Sequence, residues 1–420
     1  MLRRPLWRTA AGSTTALALC ALAAAPSTAQ PAPPPASQTP TPGPGPSPAT
    51  QPAPNPSQSA PPQQPIAPEA PPPAGPPAAP AEAVPPPAQA PAETATKGPT
   101  PEQVVPQAIE SAAFQPDVPL DQQPALLVKV EVLLDRAHNS PGAIDGRPGK
   151  NLDHALGIYA HGHNLEPGLS AAVVASLEKA GGGPITQSYT IAPSDETGPF
   201  IGHLPGDFYA QSKLRHMGYT SPEQELAERF HMGQRLLEAM NPGADFSKAG
   251  TQIAVVRPHA GGLGERVTKI EVDKNVDEVM AYDGDGKLVA SFPSSIGSAE
   301  HPAPSGDYTV AQVRPDPNYV YDPRVLHWGP RKHGRFTIKP GPNNPTGVVW
   351  IGLSKPTYGI HGSPNAELIG KTSSHGCVRL TNWDAWDLGR AVTAGASVDF
   401  VGQRREQTAN AGSQGRSART

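Results

Sequence analysis

A chain of 420 residues that carries 56 prolines and 42 glycines but only 5% aromatic residues cannot form one continuous core. Its formal net charge of −4 removes the electrostatic basis for nucleic-acid binding. With only 2 cysteines, a disulfide framework is excluded.

The N-terminus reads as an export signal. Arg3, Arg4 and Arg8 form a basic head, residues 16–25 an apolar middle, and Ser27-Thr28-Ala29 a small-residue exit. Residues 1–29 are expected to be removed, leaving the mature chain in the periplasm or cell envelope. The apolar run is too short to span a bilayer, so no stable membrane insertion is expected after cleavage. Lipidation at Cys20 would require a small residue before it, where Leu19 stands, and the surroundings of Arg3-Arg4 match a twin-arginine signal poorly. From 30 to 118 the chain is dominated by Pro, Ala, Gln and Ser. Such a stretch buries too little apolar surface to offset its ordering entropy, and a disordered Pro-rich linker is expected. A disordered basic tail is expected over 403–420.

Between 119 and 182 a small helical domain is expected. Leu126, Leu127, Val130, Leu133 and Leu134 recur at helical spacing. A Gly- and Pro-rich turn over 141–149 breaks that helix. A second helix is predicted from Asn151 or Leu152 to about His161, and a third from a Ser170 cap to Lys179. The turn, with Ile144-Asp145-Gly146 and the following Asn151, Ala155 and Tyr159, resembles the type 1 peptidoglycan-binding domain. Tyr159-Ala160 stands where that family tends to carry an aromatic-Gln pair, so a retained fold with weakened binding is an open alternative. His138, His154, His161 and His163 lack metal spacing and read as surface or core residues.

Over 185–258 the pattern is strand, two short helices, then strand. Tyr189-Thr190-Ile191 starts it, and Ser221-Pro222 opens the first helix. Asn241-Pro242 ends the second helix, and residues 250–255 return as a strand. This α+β order resembles a LysM module, with some 25 additional residues around 192–218. A linker subdomain that only packs on its neighbours is the other reading.

The segment 266–402 is mostly β. Residues 267–272, 278–282 and 288–292 alternate as strands, with Asp283-Gly284-Asp285-Gly286 as a hairpin turn. A calcium loop there lacks its downstream ligands. Further strands are expected after Pro304-Ser305-Gly306, over 347–352, over 358–360 and over 397–401. One helix is expected over 383–394, capped by Thr381 and Asp384 and ended by Gly395. A sandwich or closed barrel-like sheet follows.

With Cys20 in the export signal, Cys377 is the lone thiol of the mature chain. A thiolate attacks carbonyl carbon well, and a neighbouring histidine can generate it. His361, followed by Gly362, is the candidate base, with a backbone carbonyl at Gly362 or nearby as the acceptor orienting its ring. The backbone of Ser374-His375-Gly376-Cys377 is expected to stabilise an oxyanion, and Arg379 to anchor a carboxylate or brace the loop. A buried small hydrophobe is a poor reading of a thiol after Ser-His-Gly. Zinc on His361, His375 and Cys377 lacks metalloenzyme spacing.

His361-Gly362, a gap, and Ser374-His375-Gly376-Cys377-Val378-Arg379-Leu380 resemble the YkuD-type L,D-transpeptidases, as do Pro304-Ser305-Gly306 and Tyr308. The resemblance implies a YkuD-like β-sandwich in a multi-domain chain. It implies Cys377 as nucleophile and His361 as proton carrier, with Gly362, Ser374, His375, Gly376, Arg379 and Tyr308 shaping the pocket. It implies no cofactor and no metal, partners that are peptidoglycan stem peptides and glycan strands, and 3→3 cross-linking through a cysteine acyl-enzyme. L,D-carboxypeptidase activity, wall-protein attachment, or a non-catalytic wall-binding scaffold are the alternatives.

Overall fold

The computed structural model describes residues 98–298, 300–326, 331–374 and 376–402. The expected export signal, most of the expected linker, the basic tail and His375 lie outside the described residues.

Order begins earlier than composition suggests. Helix α1 (Pro106–Ser111) falls inside the stretch expected to be unstructured. Val104 and Ile109 are fully buried there, and the Glu110 carboxylate accepts from the backbone of Ile185 and Thr186 at 2.9 and 2.7 Å. These two apolar anchors are what a composition average dilutes. Helices α2 (Pro124–Arg136), α3 (Lys150–Gly162) and α4 (Ala171–Gly181) follow where the leucine periodicity and the Ser170 cap place them. Ser170 Oγ accepts from Val173 N at 3.3 Å.

Strand β1 (Thr186–Thr190) pairs antiparallel with β2 (Gln252–Val256). Between them lie α5 (Pro193–Thr197), α6 (Phe208–Gln211), α7 (Pro222–Arg229) and α8 (Gln234–Met240). Asn241 joins α8 to the sheet: its amide donates to Leu237 O at 2.9 Å and Ala254 O at 2.7 Å, and its carbonyl accepts from Ala254 N. Residues 104–256 share one apolar cluster, in which Leu133, Leu156, Leu226 and Val255 are buried together.

A second cluster fills the catalytic sheet. Its strands are β3 (Val267–Asp273), β4 (Glu278–Tyr282), β5 (Leu288–Pro293), β6 (Ser295–Ile296) and β7 (Gly306–Pro315). A separate hairpin joins β8 (Tyr319–Tyr321) to β9 (Phe336–Ile338). Then come β10 (Val349–Leu353), β11 (Gly359–His361), β12 (Val378–Arg379), helix α9 (Asn382–Ala391) and β13 (Val392–Val401). The nine-stranded order is β5-β4-β3-β13-β7-β10-β11-β12-β6. The two outermost strands, β5 and β6, are one run of chain interrupted at Ser294, so the sheet is nearly closed on itself.

Helix α9 is shorter than its sequence pattern. It starts at the Thr381 cap, where Oγ1 accepts from Asp384 N at 3.1 Å. It stops at Ala391 because Val392 already pairs with Val267 of β3. Gly395, at φ 91°, lies in the irregular stretch of β13 that restores register by Ser397 rather than ending the helix.

The N-terminal segments dock directly on this sheet. Ser140 N donates to Ser291 O at 2.9 Å, and Ser291 N returns to His138 O. Ser140 Oγ reaches Asp384 at 3.1 Å, and Asn151 Nδ2 reaches Ile369 O at 2.9 Å. The extra residues before α7 also cross to the catalytic half. Phe208 meets Tyr319 edge-on at 5.7 Å, Tyr209 meets Phe336 at 5.6 Å, and Met217 N bonds Pro340 O at 3.1 Å.

Candidate active site

The parallel pairing of β11 with β12 sets Ile360 opposite Val378 and His361 opposite Arg379. Residues directly opposite in a parallel pair face the same side, so Arg379 and His361 share a face, and Cys377 stands in the bend that leads into β12. His361 is 4% exposed. Its Nδ1 lies 2.7 Å from Gly362 O, the acceptor expected from the sequence. A carbonyl only accepts, so Nδ1 carries the proton and Nε2 keeps its lone pair. Burial and then the Arg379 cation push the His361 pKa down to about 4, against the favourable Gly362 carbonyl. The imidazole is therefore neutral near pH 7 and ready to accept a proton.

Cys377 is half-buried and free. Its sulfur points at Thr357 O, 3.7 Å away. Burial pushes the thiol pKa up, while a Gly359 backbone contact and the Arg379 cation pull it down. Near pH 7 the thiol and the imidazole are thus both neutral at rest.

The remaining predicted residues fall into two sets. Ser374 and Gly376 belong to the turn that presents the thiol. Ser374 Oγ donates to Cys377 O and accepts from Gly376 N at 3.1 Å. The Gly376 N–H is therefore spent within the turn in this state, not aimed at a substrate oxyanion. Gly376 has φ 110°, which favours glycine. Arg379 is half-buried and forms no ion pair among the described residues. Tyr308 is set apart: it lies on β7 opposite Val398, its hydroxyl donates to Ser305 O at 3.1 Å, and its ring meets Phe400 at 5.9 Å. Lys355 links it toward the site, lying 5.9 Å from its ring and 5.0 Å from that of Tyr358, which borders Gly376.

Four residues near the pair have no mark in the local sequence pattern. Trp350 lies opposite His361 and stacks on it at 5.5 Å, with Gly359 leaving room for the indole. Thr357, β-branched, is held at φ 69° with its carbonyl toward the sulfur, a strained conformation beside the chemistry. Tyr319, on the β8–β9 hairpin, has a buried hydroxyl with no hydrogen-bond partner among the described residues. Burial and then the Cys377 charge push its phenol pKa up. Asn382 is wedged against Gly362 and Gly347 so closely that a Cβ on either would collide with its Oδ1. Its Nδ2 donates to Glu228 at 3.0 and 3.2 Å, which ties α7 to the backbone that orients the histidine.

A neutral imidazole with one free nitrogen, a free thiol and a nearby cation within a nearly closed sheet fit a cysteine-dependent acyl-transfer enzyme. The L,D-transpeptidase catalytic domain model, YkuD, matches residues 268–400. Bacillus subtilis YqjB, named as an L,D-transpeptidase, is 31% identical over 140 residues, which cover 32% of this chain and 71% of that protein. YkuD of Bacillus licheniformis is 26% identical over 178 residues, 42% of this chain and 92% of the relative. ErfK/SrfK of Escherichia coli K12 is 31% identical over 191 residues, and the match spans 60% of its length and 44% of this chain. The chain belongs to the YkuD family of L,D-transpeptidases.

Proposed function

We propose that the protein joins peptidoglycan stems by 3→3 transpeptidation. Cys377 Sγ attacks the carbonyl carbon between the L-centre of the third stem residue and the terminal D-residue of a tetrapeptide. His361 Nε2 takes the thiol proton and delivers it to the departing amine. A C–S bond forms, the C–N bond breaks, and the terminal D-amino acid leaves. The amine of a second stem then attacks the thioester, His361 takes its proton, and the thiol is restored. Arg379 holds a substrate carboxylate, and Ser374 keeps the nucleophile turn in place. No metal or organic group enters these steps.

The observation that carries this reading is the His361 ring, fixed by Gly362 O with Nε2 free, on the strand that pairs with β12, which directly follows Cys377. Family membership supports the wall substrate. The helices over 124–181 and the β1–β2 unit are read as peptidoglycan-binding and LysM-like segments that hold glycan strands, in a protein exported to the cell envelope. Incubation with purified tetrapeptide muropeptides tests the reaction. A dimer mass equal to two stems less one D-amino acid is expected. Release of the D-amino acid with only tripeptide product would assign an L,D-carboxypeptidase instead, and no change in mass would remove the enzymatic reading. Co-sedimentation of residues 98–258 with wall sacculi tests the binding segments.

A further inference from the structure

Away from the thiol, Asp135, His231 and His259 bring three ligand-type atoms together where the N-terminal segments meet α9. Asp135 sits in the last turn of α2 and is 1% exposed. His231 follows α7 at φ 55°, a left-handed turn that swings its ring inward. His259 follows β2. Both imidazoles turn Nδ1 onto one carboxylate: His231 to Oδ1 at 2.9 Å and His259 to Oδ2 at 2.9 Å. The ligand atoms all lie within 4.8 Å of one another. The His259 backbone N–H also reaches Oδ2, at 2.7 Å.

The far side of His259 separates a ligand from an ordinary buried histidine. Its Nε2 lies 2.5 Å from Asp387 Oδ2. Metal-bound imidazoles characteristically give their second nitrogen to a carboxylate, which fixes the tautomer and the ring. His231 is held differently, stacked on Trp383 at 4.8 Å and 7°. Distances are also compatible. Bonds of about 2.0–2.1 Å in a tetrahedral site separate ligand atoms by roughly 3.3 Å. The two imidazole–carboxylate spacings of 2.9 Å need open by only a few tenths of an ångström, and the two Nδ1 atoms lie within 4.8 Å of each other.

The geometry points to a divalent transition-metal site of the zinc class, with Asp135, His231 Nδ1 and His259 Nδ1 as ligands and Asp387 behind His259. Two imidazole nitrogens with one carboxylate disfavour calcium and magnesium, which take oxygen. A groove lined by Arg136, His138, Arg257 and Pro258 has His259 in its wall and opens beside the cluster. The ligands come from α2, the turn after α7 and the exit of β2, and Asp387 from α9. The ion thus clasps the N-terminal segments to the catalytic sheet, independently of the thiol chemistry.

The test uses the full, tag-free chain carrying Cys20→Ser and Cys377→Ser, so that no thiol can bind metal. After equilibration with Zn2+ alone and desalting, elemental analysis is expected to find about one ion per chain. Co2+ in its place should give absorption of tetrahedral intensity, and Zn2+ should raise the Tm. His259→Gln should bring the metal content to background, and Asp387→Asn should weaken Zn2+ binding about 10–100-fold. If His259→Gln does not fold, His231→Gln carries the same expectation, and the metal content of the parent protein stands by itself. A protein that returns metal-free with a Tm indifferent to Zn2+ overturns the proposal and leaves a hydrogen-bonded ion network. Undiminished Zn2+ binding in folded His259→Gln overturns it as well.

Discussion

Two buried histidines in this molecule are driven in opposite directions. At the active site, burial and the Arg379 cation push His361 down to about 4, and its fixed hydrogen bond goes to a neutral carbonyl. At the docking interface, in the ion-free state, burial also opposes the charge on His259, but the carboxylates of Asp135 and Asp387 outweigh it and push the ring up to about 10. Loss of solvation is common to both. The charge of the acceptor decides which form survives. The proposed base needs its lone pair, and a peptide carbonyl orients its ring. The interface, whose task is adhesion, uses carboxylates. Asn382 connects the two regions, because the side chain that wedges Gly362 is itself held by Glu228 of α7.

The largest expected effect tests whether the catalytic half holds the chemistry at all. Cys377→Ser should show no detectable turnover of tetrapeptide stems while its circular dichroism matches the parent, because serine is the weaker nucleophile beside the same imidazole. Turnover at the parent rate would break the comparison at its root. His361→Gln should follow, with kcat reduced by about 10²–10⁴-fold, the usual worth of a positioned base. His375→Gln should lose less, and equal losses in the two variants would reopen the choice of base.

The depressed pKa of His361 makes a third, smaller effect. Its lone pair is available above about 4, so kcat/KM should fall as pH drops through that value. The stability sign agrees. The unfolded histidine binds its proton near pH 6.5, so the protein loses up to about 3 kcal/mol as pH falls from there through the folded value. A limb near pH 6.5 would mean that the ring is solvated and the contrast with His259 false. Arg379→Met should sharpen the point: without the cation, the acid limb moves up and the thiol pKa moves further up. The smallest effect belongs to the interface. Ser140→Ala removes the hydrogen bond to Asp384 and should lower stability by about 0.5–1.5 kcal/mol in denaturant titration, with kcat unchanged.

Local chemistry was legible wherever the cause is local. The Ser170, Ser221 and Thr381 caps open helices at the expected places, since a hydroxyl and an amide three residues on settle the matter between them. The Asp283–Gly286 turn joins β4 to β5 for the same reason: Asp283 Oδ1 accepts from Asp285 N and Lys287 N, each at 2.9 Å. Misreadings occurred where a distant partner intervened. The end of α9 moved because Val392 pairs with Val267, and the start of order moved because Val104 and Ile109 reach the core. Tyr308 fits the upstream family pattern, yet packing turns its hydroxyl to Ser305 O and its ring to Phe400.

What the sequence by itself determined is the choice of reagents: a thiol at Cys377, a His-Gly pair at 361–362, and a glycine before the thiol that can take the strained turn. Residue identity sets the chemistry a group can perform, and no fold changes that. The tertiary structure decided how the reagents are tuned. Parallel pairing of β11 with β12 sets Arg379 opposite the imidazole, and burial with Arg379 keeps the ring neutral. Asp135 meets His231 across 96 residues and His259 across 124. Contacts at such separations, and the solvation they remove, exist only once the chain has closed its loops, so no local pattern encodes them.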